Sequence, residues 1–309
     1  MHYNCSCAAS IMHPWHKVNR PYMSRRRACN RKSVAVAVAL SVFVTPGIGG
    51  ADVRVEASPD TAASLVQAIR ERLTAAPFRV ASVDVRITIG TAAFRAALDN
   101  QDGRPIVAAY ISSTEFAAVL GDRPRPPNVT AIFSNPDPID QLVLAKQILG
   151  KASVGVFDSA SVHPLVERLT TLGVTAIHVS PNESVDSLLR STDPFDVIIA
   201  LPDPSVLTGA NIGHVVRTLY QQRKVLIGYS DKLTQVGSLA SVYPTADEIA
   251  RAVWQVLDQY SVNRAIPSPV FVPDVEVSLN ERLAASLNII LPNVGDLTAA
   301  IRSKHRGSP

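Results

Sequence analysis

The chain has 309 residues, of which 47% are hydrophobic, 6% aromatic and 18% charged, a composition that excludes a disordered or fibrous protein. Its formal net charge of +4 originates in the first 51 residues, which hold seven Lys and Arg and no Asp or Glu. The remainder has 23 Lys and Arg against 26 Asp and Glu, so we predict no nucleic-acid partner.

Residues 1–51 form a predicted leader. A cationic segment at 24–32 precedes an apolar run at 34–44, and small residues follow at 49–51. This order is typical of a secretory signal peptide, with cleavage expected after Ala51, and the apolar run is too short to span a bilayer. Residues 1–22 do not fit such a signal, so the expected true start is Met23. The predicted location is the periplasm, with membrane contact only through a partner.

The residue types that carry most catalysis and metal binding are scarce in the body of the chain. Cys5, Cys7 and Cys29 all lie in the leader, so the body has no thiol for a disulfide, a metal or nucleophilic catalysis. Its four histidines have no metal-binding spacing, and nucleophile-elbow, phosphate-loop and dinucleotide-binding glycine motifs are absent. We therefore predict no enzymatic activity, no cofactor and no metal.

Strands and helices are predicted to alternate along the whole body. In the first run, strands are expected at 53–57, 85–89, 106–111 and 128–133, with an extended piece near 78–82 and helices at 61–75, from 91, at 115–120 and at 139–149. In the second run, strands are expected at 153–157, 176–179, 197–201, 225–229, 239–243 and around 270–277. Its helices are expected at 164–172, 185–190, 209–222 and 246–260, with a last one at 280–287. Two such runs indicate two similar lobes with parallel sheets.

Small, hydroxyl and acidic residues follow the predicted strands, at the sheet edge where open α/β folds bind ligands. In the first run the candidate ligand-binding residues are Thr91, Ala92, Ser112, Ser113 and Thr114. In the second run they are Asp158, Ser159, Ser161 and Asp203. Simple helix capping is the alternative for each Ser and Thr, and turn formation for Asp203.

These residue types suit a zwitterionic ligand. The backbone N–H groups of Ala92 and Ala93 would receive its carboxylate. Asp158 or Asp203 would receive its ammonium group. Four aromatic residues also end strands and could stack on a ligand, although core packing is the alternative for each. They are Tyr110, Phe157, Tyr229 and Tyr243.

Six segments resemble motifs of one known family. Segment 89–93 (IGTAA) resembles I-G-T-x-A, segment 105–114 resembles P-I-V-F-x-x-V-S-D-P, and 128–130 matches N-V-T-G with Ala131 in place of its Gly. Segments 141–149, 236–241 and 279–292 resemble Q-L-x-L-L-K-x-L-L-P, V-x-x-G-A-L-A-S-Y and I-N-x-x-x-A-x-x-L-G-I-x-I-P. In these segments the chain resembles the substrate-binding proteins of ABC importers that have the type I periplasmic-binding fold.

The resemblance implies an α/β fold of two Rossmann-like lobes joined by hinge strands. Lobe 1 would comprise 52–132 plus 243–272, and lobe 2 would comprise 133–242 plus 273–309. It further implies a monomer that captures a small polar ligand, amino-acid-like by preference, between its lobes for an ABC permease. Two departures, a shortened first lobe and Ser113 or Thr114 in place of the family's Asp, favour an alternative, a binding module for a sensor or outer-membrane system without its own permease. An exported α/β enzyme is the third alternative.

Overall fold

The computed structural model describes residues 42–43, 53–59, 63–74, 83–100 and 102–306. The predicted leader and the extended piece near 78–82 lie outside these residues, except for Val42–Phe43. The strands are β1 (Val42–Phe43), β2 (Val53–Ala57), β3 (Val85–Ile89), β4 (Ile106–Ile111), β5 (Val129–Phe133), β6 (Val154–Asp158), β7 (Thr175–His178), β8 (Val197–Ile199), β9 (Val225–Gly228), β10 (Ala240–Tyr243), β11 (Val270–Phe271) and β12 (Glu276–Leu279). The helices are α1 (Ala63–Thr74), α2 (Thr91–Asp99), α3 (Ser113–Leu120), α4 (Pro138–Leu149), α5 (His163–Thr170), α6 (Val185–Arg190), α7 (Ile212–Gln221), α8 (Asp231–Val236), α9 (Ala246–Asn263), α10 (Glu281–Leu287) and α11 (Val294–Arg306).

The strands form two six-stranded sheets. The order in the first sheet is β1-β2-β3-β4-β5-β11, and in the second sheet it is β12-β10-β9-β8-β6-β7. All neighbouring strands are parallel except for the antiparallel pairs β1–β2 and β10–β12. The chain therefore crosses from one sheet to the other three times, after β5, after β10 and between β11 and β12.

Two of the helices that connect the sheets pack on the sheet to which the chain crosses. Helix α4 packs on the second sheet and α9 on the first. Leu142, Leu144 and Ile148 of α4 join the core beneath the second sheet. Helix α9 returns to the first sheet, where Ile249 and Val253 pack among the side chains of β2 and β3. Apolar residues at spacings of three and four place both helices on these cores.

The predicted strand around 270–277 is wrong, because the segment contains two short strands in different sheets. Strand β11 pairs with β5 of the first sheet, whereas β12 pairs with β10 of the second. Pro273 lies between them and has no N–H to donate to a strand ladder, so a continuous strand is disfavoured there. Asp274 next to it is bound by Arg251 of α9 at 3.4 Å.

Two helices were not predicted. Helix α8 has only six residues, too few for a clear helical repeat. Helix α11 follows the helix that was predicted to be last. Its sequence is polar on average, which obscures the apolar pattern of a packed helix. Other predicted bounds shift by one to three residues; for example, α7 begins at Ile212, β8 ends at Ile199, α9 ends at Asn263, and Asp158 belongs to β6 itself.

Ionic contacts to a buried carboxylate fasten α11 to α4. The side chain of Asp140 is fully buried and lies 2.9 Å from Lys304 Nζ and 3.0 Å from His305 Nε2. Burial raises the pKa of Asp140, and the hydrogen bond and charge of Lys304 oppose that rise.

None of the helices in the described part of the chain combines the length and apolar composition that crossing a membrane requires.

Candidate functional site

A cleft between the two sheets is lined by the turns that follow their strands at the carboxyl ends. It consists of two joined cavities, of about 530 Å³ and about 360 Å³. The larger cavity is lined by Gly90, Thr91, Tyr110, Ser112, Glu115, Ser134, Asn135, Tyr229, Ser230, Asp231, Lys232, Gln235, Tyr243 and Pro244. The smaller cavity is lined by Ser112, Thr114, Glu115, Ala118, Ser134, Ser161, Pro202, Asp203, Pro204, Leu207 and Tyr229.

A bulge in β4 exposes Tyr110 to the larger cavity. The pairing register with β5 shifts between Ala109 and Ile111. At Tyr110 the backbone has φ of 54°, in the left-handed region that bulky residues rarely occupy, and 40% of the residue is exposed. Core packing, the alternative considered for this tyrosine, does not apply. Strained positions of this kind are enriched at functional sites.

The residues that open α3 are bonded mainly to each other. Ser112 caps the helix, because its Oγ accepts the N–H of Glu115 at 3.1 Å while Glu115 Oε2 accepts the N–H of Ser112 at 2.9 Å. This pair holds the Glu115 carboxylate at the wall shared by both cavities. Ser113, which does not line either cavity, donates its N–H to Asn135 Oδ1 at 2.8 Å. Sequence reasoning missed Glu115 and Asn135 because both have the appearance of ordinary helix and loop residues.

A hydrogen bond joins the two sides of the cleft. Thr114 Oγ1, on the first-sheet side, donates to the carbonyl oxygen of Pro202, beyond β8 of the second sheet, at 2.7 Å in a buried position. Ser112 Oγ lies 3.0 Å from Thr114 Oγ1 and extends this contact towards the cavities. The predicted ligand contact Thr114 therefore bonds to protein across the cleft.

We expect Thr114→Val to weaken the contact between the two sides, because it leaves the buried Pro202 carbonyl without its donor. The expected loss in the free energy of unfolding is about 1–2 kcal/mol. Urea denaturation measures this loss, and small-angle scattering should report a larger radius of gyration. Thr298→Val on the exposed face of α11 is the matched control. An unchanged midpoint and radius would contradict the importance of this bond.

Three predicted residues come together on the second-sheet side. The buried carboxylate of Asp203 accepts hydrogen bonds from Ser159 Oγ at 2.5 Å and Ser161 Oγ at 3.0 Å. It also accepts the N–H and Oγ of Ser205 at 2.9 and 2.7 Å. Asp203 and Ser161 line the smaller cavity, whereas Ser159 does not. This network orders the turn after β8 and uses much of the capacity of Asp203 to accept hydrogen bonds.

Asp158 lies outside the residues that line the two cavities and is paired with a histidine instead. Its Oδ1 is 3.0 Å from His163 Nδ1 at the start of α5. This hydrogen bond, together with the charge of Asp158, raises the pKa of His163 above its ordinary value of 6.5.

We expect Asp158→Asn to lower the pKa of His163 towards 6.5, because the substitution removes the carboxylate that favours the imidazolium. NMR titration of the His163 ring protons measures the change. The ring protons of His214, which lies 2.6 Å from Asp186 on another helix, are the internal reference, and their signals should not respond to the substitution. A pKa of His163 unaffected by Asp158→Asn would contradict this pairing.

The turn that opens α2 contributes less than predicted. Thr91 lines the larger cavity, but Ala92 does not. The N–H of Ala93, expected to be available to an anion, instead donates to Ser58 Oγ at 3.0 Å. Ser58 follows β2, the neighbouring strand, so this bond ties two adjacent strand exits together.

Helix α8 supplies polar residues that sequence reasoning missed. Asp231, Lys232 and Gln235 all line the larger cavity, and Gln235 Nε2 donates to Asp231 Oδ2 at 2.5 Å. Thr234 of the same helix is turned towards the second sheet, where its Oγ1 donates to the Oγ of Ser241 at 2.7 Å and accepts from Ser278 at 2.8 Å. Hydroxyl groups of the second sheet therefore hold this helix in place.

Two further tyrosines, Tyr229 after β9 and Tyr243 at the end of β10, complete the aromatic lining. Burial raises the pKa of Tyr229, and the charges of Glu115 and Asp203 raise it further. Burial likewise raises the pKa of Tyr243, followed by the charge of Asp231. Both phenols remain protonated at neutral pH.

Among the described residues, no group of three or more His, Cys, Asp and Glu is arranged to hold a metal ion.

Comparison with solved structures identifies proteins of similar fold. A conserved domain protein from Vibrio cholerae is 20% identical, with a TM-score of 0.51 over 76% of this chain and 82% of that one. The ABC domain from Streptococcus pneumoniae in complex with L-Trp is 19% identical, with a TM-score of 0.50 over 75% and 93%. A substrate-binding protein with adhesive properties from Clostridium difficile, in its ligand-free open form, is 15% identical, with a TM-score of 0.52 over 74% and 81%. No family model and no curated protein matches the sequence. The likenesses confirm the predicted fold class.

Proposed function

Starting from a chain that has the type I periplasmic-binding fold, we propose that this protein binds a small polar solute in the cleft between its two sheets. The observation that carries the proposal is the lining of the cleft, to which turns at the carboxyl ends of both sheets contribute hydroxyl, amide, charged and aromatic groups. The proposed lobes are 52–132 plus 243–272 and 133–242 plus 273–309, with Phe133 kept in the first sheet as part of β5 and Tyr243 in the second as part of β10.

An amino-acid-like ligand fits this lining. Thr91, which opens α2 and lines the larger cavity, would receive its carboxylate at the helix N-terminus. Glu115 and Asp231 suit an ammonium group better than the predicted Asp158, which lies outside the lining, or Asp203, which already accepts four hydrogen bonds. The complex of the Streptococcus pneumoniae domain with L-Trp supports this ligand class.

The proposed role is that of an exported receptor, monomeric in the periplasm, which delivers its ligand to an ABC permease. The second candidate is a binding module for a sensor or outer-membrane system. It is favoured by the altered segment at 112–114, where Thr114 bonds across the cleft. Permease and ATPase genes beside this one would favour import, and their absence would favour sensing.

A thermal-shift screen of the purified protein against amino acids, sugars and inorganic anions tests the proposal. A ligand at 100 times its Kd stabilises a protein by about 2.7 kcal/mol, which is readily visible as a rise in Tm. We expect one or more amino acids to raise Tm. A response to sugars alone would contradict the ligand class, and turnover of a bound compound would contradict the binding role.

A further inference from the structure

Acidic groups outnumber basic ones in the lining of the cleft. Among the described lining residues, Glu115, Asp203 and Asp231 carry carboxyl groups, whereas Lys232 is the one Lys or Arg. The acids come from both sides of the cleft, because Glu115 belongs to α3 of the first sheet and Asp231 to α8 of the second. A solute enclosed between them is surrounded by more negative than positive charge.

Three tyrosine rings line the same space. Tyr110, Tyr229 and Tyr243 arise from three different strand ends, and Tyr110 is held there by a backbone conformation that is rare for its type. The face of an aromatic ring attracts cations, and the attraction strengthens when the cation is desolvated. The rings and the carboxylates therefore favour the same sign of charge on a ligand by two independent means.

We infer that the cleft selects a solute with a net positive charge, namely an amine, guanidinium or quaternary ammonium compound. The inference rests on the proposed solute-binding function and specifies its ligand class. Lys232 and Thr91 would still accommodate one carboxylate, so a basic amino acid fits the complete lining. A neutral zwitterion would leave one of the two opposed carboxylates, on Glu115 or Asp231, without a cationic partner.

Matched pairs of probes that differ in charge but little in shape test this inference by isothermal titration calorimetry. L-Arginine is compared with L-citrulline, and choline is compared with 3,3-dimethylbutan-1-ol. We expect one cation of the two pairs to bind at least about tenfold more tightly than its neutral analogue, with a Kd that rises with salt concentration. Preference for L-arginine would identify a basic amino acid, and preference for choline a quaternary ammonium compound.

Variants locate the effect in the cleft. Glu115→Gln keeps a side chain that can complete the helix cap but removes the charge. On the opposite side, Asp231→Asn removes the charge and keeps a side-chain oxygen that can accept from Gln235. Each should weaken binding of the cation about tenfold and leave 3,3-dimethylbutan-1-ol, which has no ammonium group, unaffected. Glu281→Gln, at an exposed position of α10 outside the lining, is the charge-matched control and should bind like the wild type.

The failure of this inference is distinguishable from that of the proposed function. If L-citrulline, L-tryptophan or another neutral solute binds as tightly as the cations or more tightly, the charge selection is wrong and solute binding stands. If Glu115→Gln and Asp231→Asn both bind the cation like the wild type, the assigned carboxylates are wrong. If neither the cations nor any of the neutral solutes tested binds, both the charge selection and the proposed solute-binding function are wrong.

Discussion

Gly228→Ala is expected to destabilise the protein by about 1–3 kcal/mol and to weaken ligand binding at least about tenfold. Gly228 ends β9, immediately before the cleft residues Tyr229 and Asp231. A Cβ atom at position 228 would lie 2.8 Å from Leu233 Cβ and closer still to Ser241 Oγ. Because Leu233 belongs to α8, relief of this overlap must move the helix that carries three lining residues.

Urea denaturation measures the stability change, and titration with the ligand found in the screen measures the binding change. Gly209→Ala is the matched control, since an added Cβ at position 209 would have no neighbour within 4 Å. It should leave both quantities within experimental error of the wild type. Wild-type binding by a folded Gly228→Ala protein would show that the position of α8 does not control the cleft.

Asp203→Ala is expected to lower the free energy of unfolding by about 3 kcal/mol, because a buried carboxylate that accepts four hydrogen bonds is lost. Ser159 Oγ would then remain buried with only Ser161 as a partner. The turn after β8 should loosen, and with it the carbonyl of Pro202 that Thr114 contacts across the cleft.

Chemical denaturation followed by circular dichroism measures this loss. Asp122→Ala, at an exposed turn after α3, is the control and should change stability by less than about 0.5 kcal/mol. Asp203→Asn separates charge from hydrogen bonding, since the amide oxygen retains part of the acceptor capacity and should recover part of the stability. Equal losses in the two Asp203 variants would contradict the role assigned to the hydrogen-bond network.

The regular elements were predictable from the sequence where apolar runs end in small or hydroxyl residues. Strands β2, β3 and β4 have the predicted bounds because β-branched and apolar residues dominate them, interrupted by Arg54, Glu56 and Arg86. The segment at 270–277 was mispredicted because its alternating pattern does not reveal that Pro273 separates strands of different sheets. Helix α8 escaped prediction because tertiary hydroxyl contacts, rather than an amphipathic repeat, hold its six residues.

The site was only partly predictable, since residue type does not show where a side chain's bonds are satisfied. Thr91, Ser112, Thr114, Ser161 and Asp203 line the cleft, yet four of these five bond chiefly to protein. Asp158 is directed to His163 by the local geometry of β6 and α5. The exposure of Tyr110 depends on a bulge, and a bulge has no signature in the sequence of β4. The role of the cleft residues in ligand binding remains a prediction, which the variants above test.

The three crossings of the chain from one sheet to the other also determine when each half of the protein can fold during translation. The core of the first sheet needs Ile249 and Val253 of α9 and the edge strand β11, which leave the ribosome long after β5. The half that is translated first therefore cannot complete its folding until almost the whole polypeptide has emerged. A premature stop codon after β10 would leave both halves unfinished, the first without α9 and the second without β12.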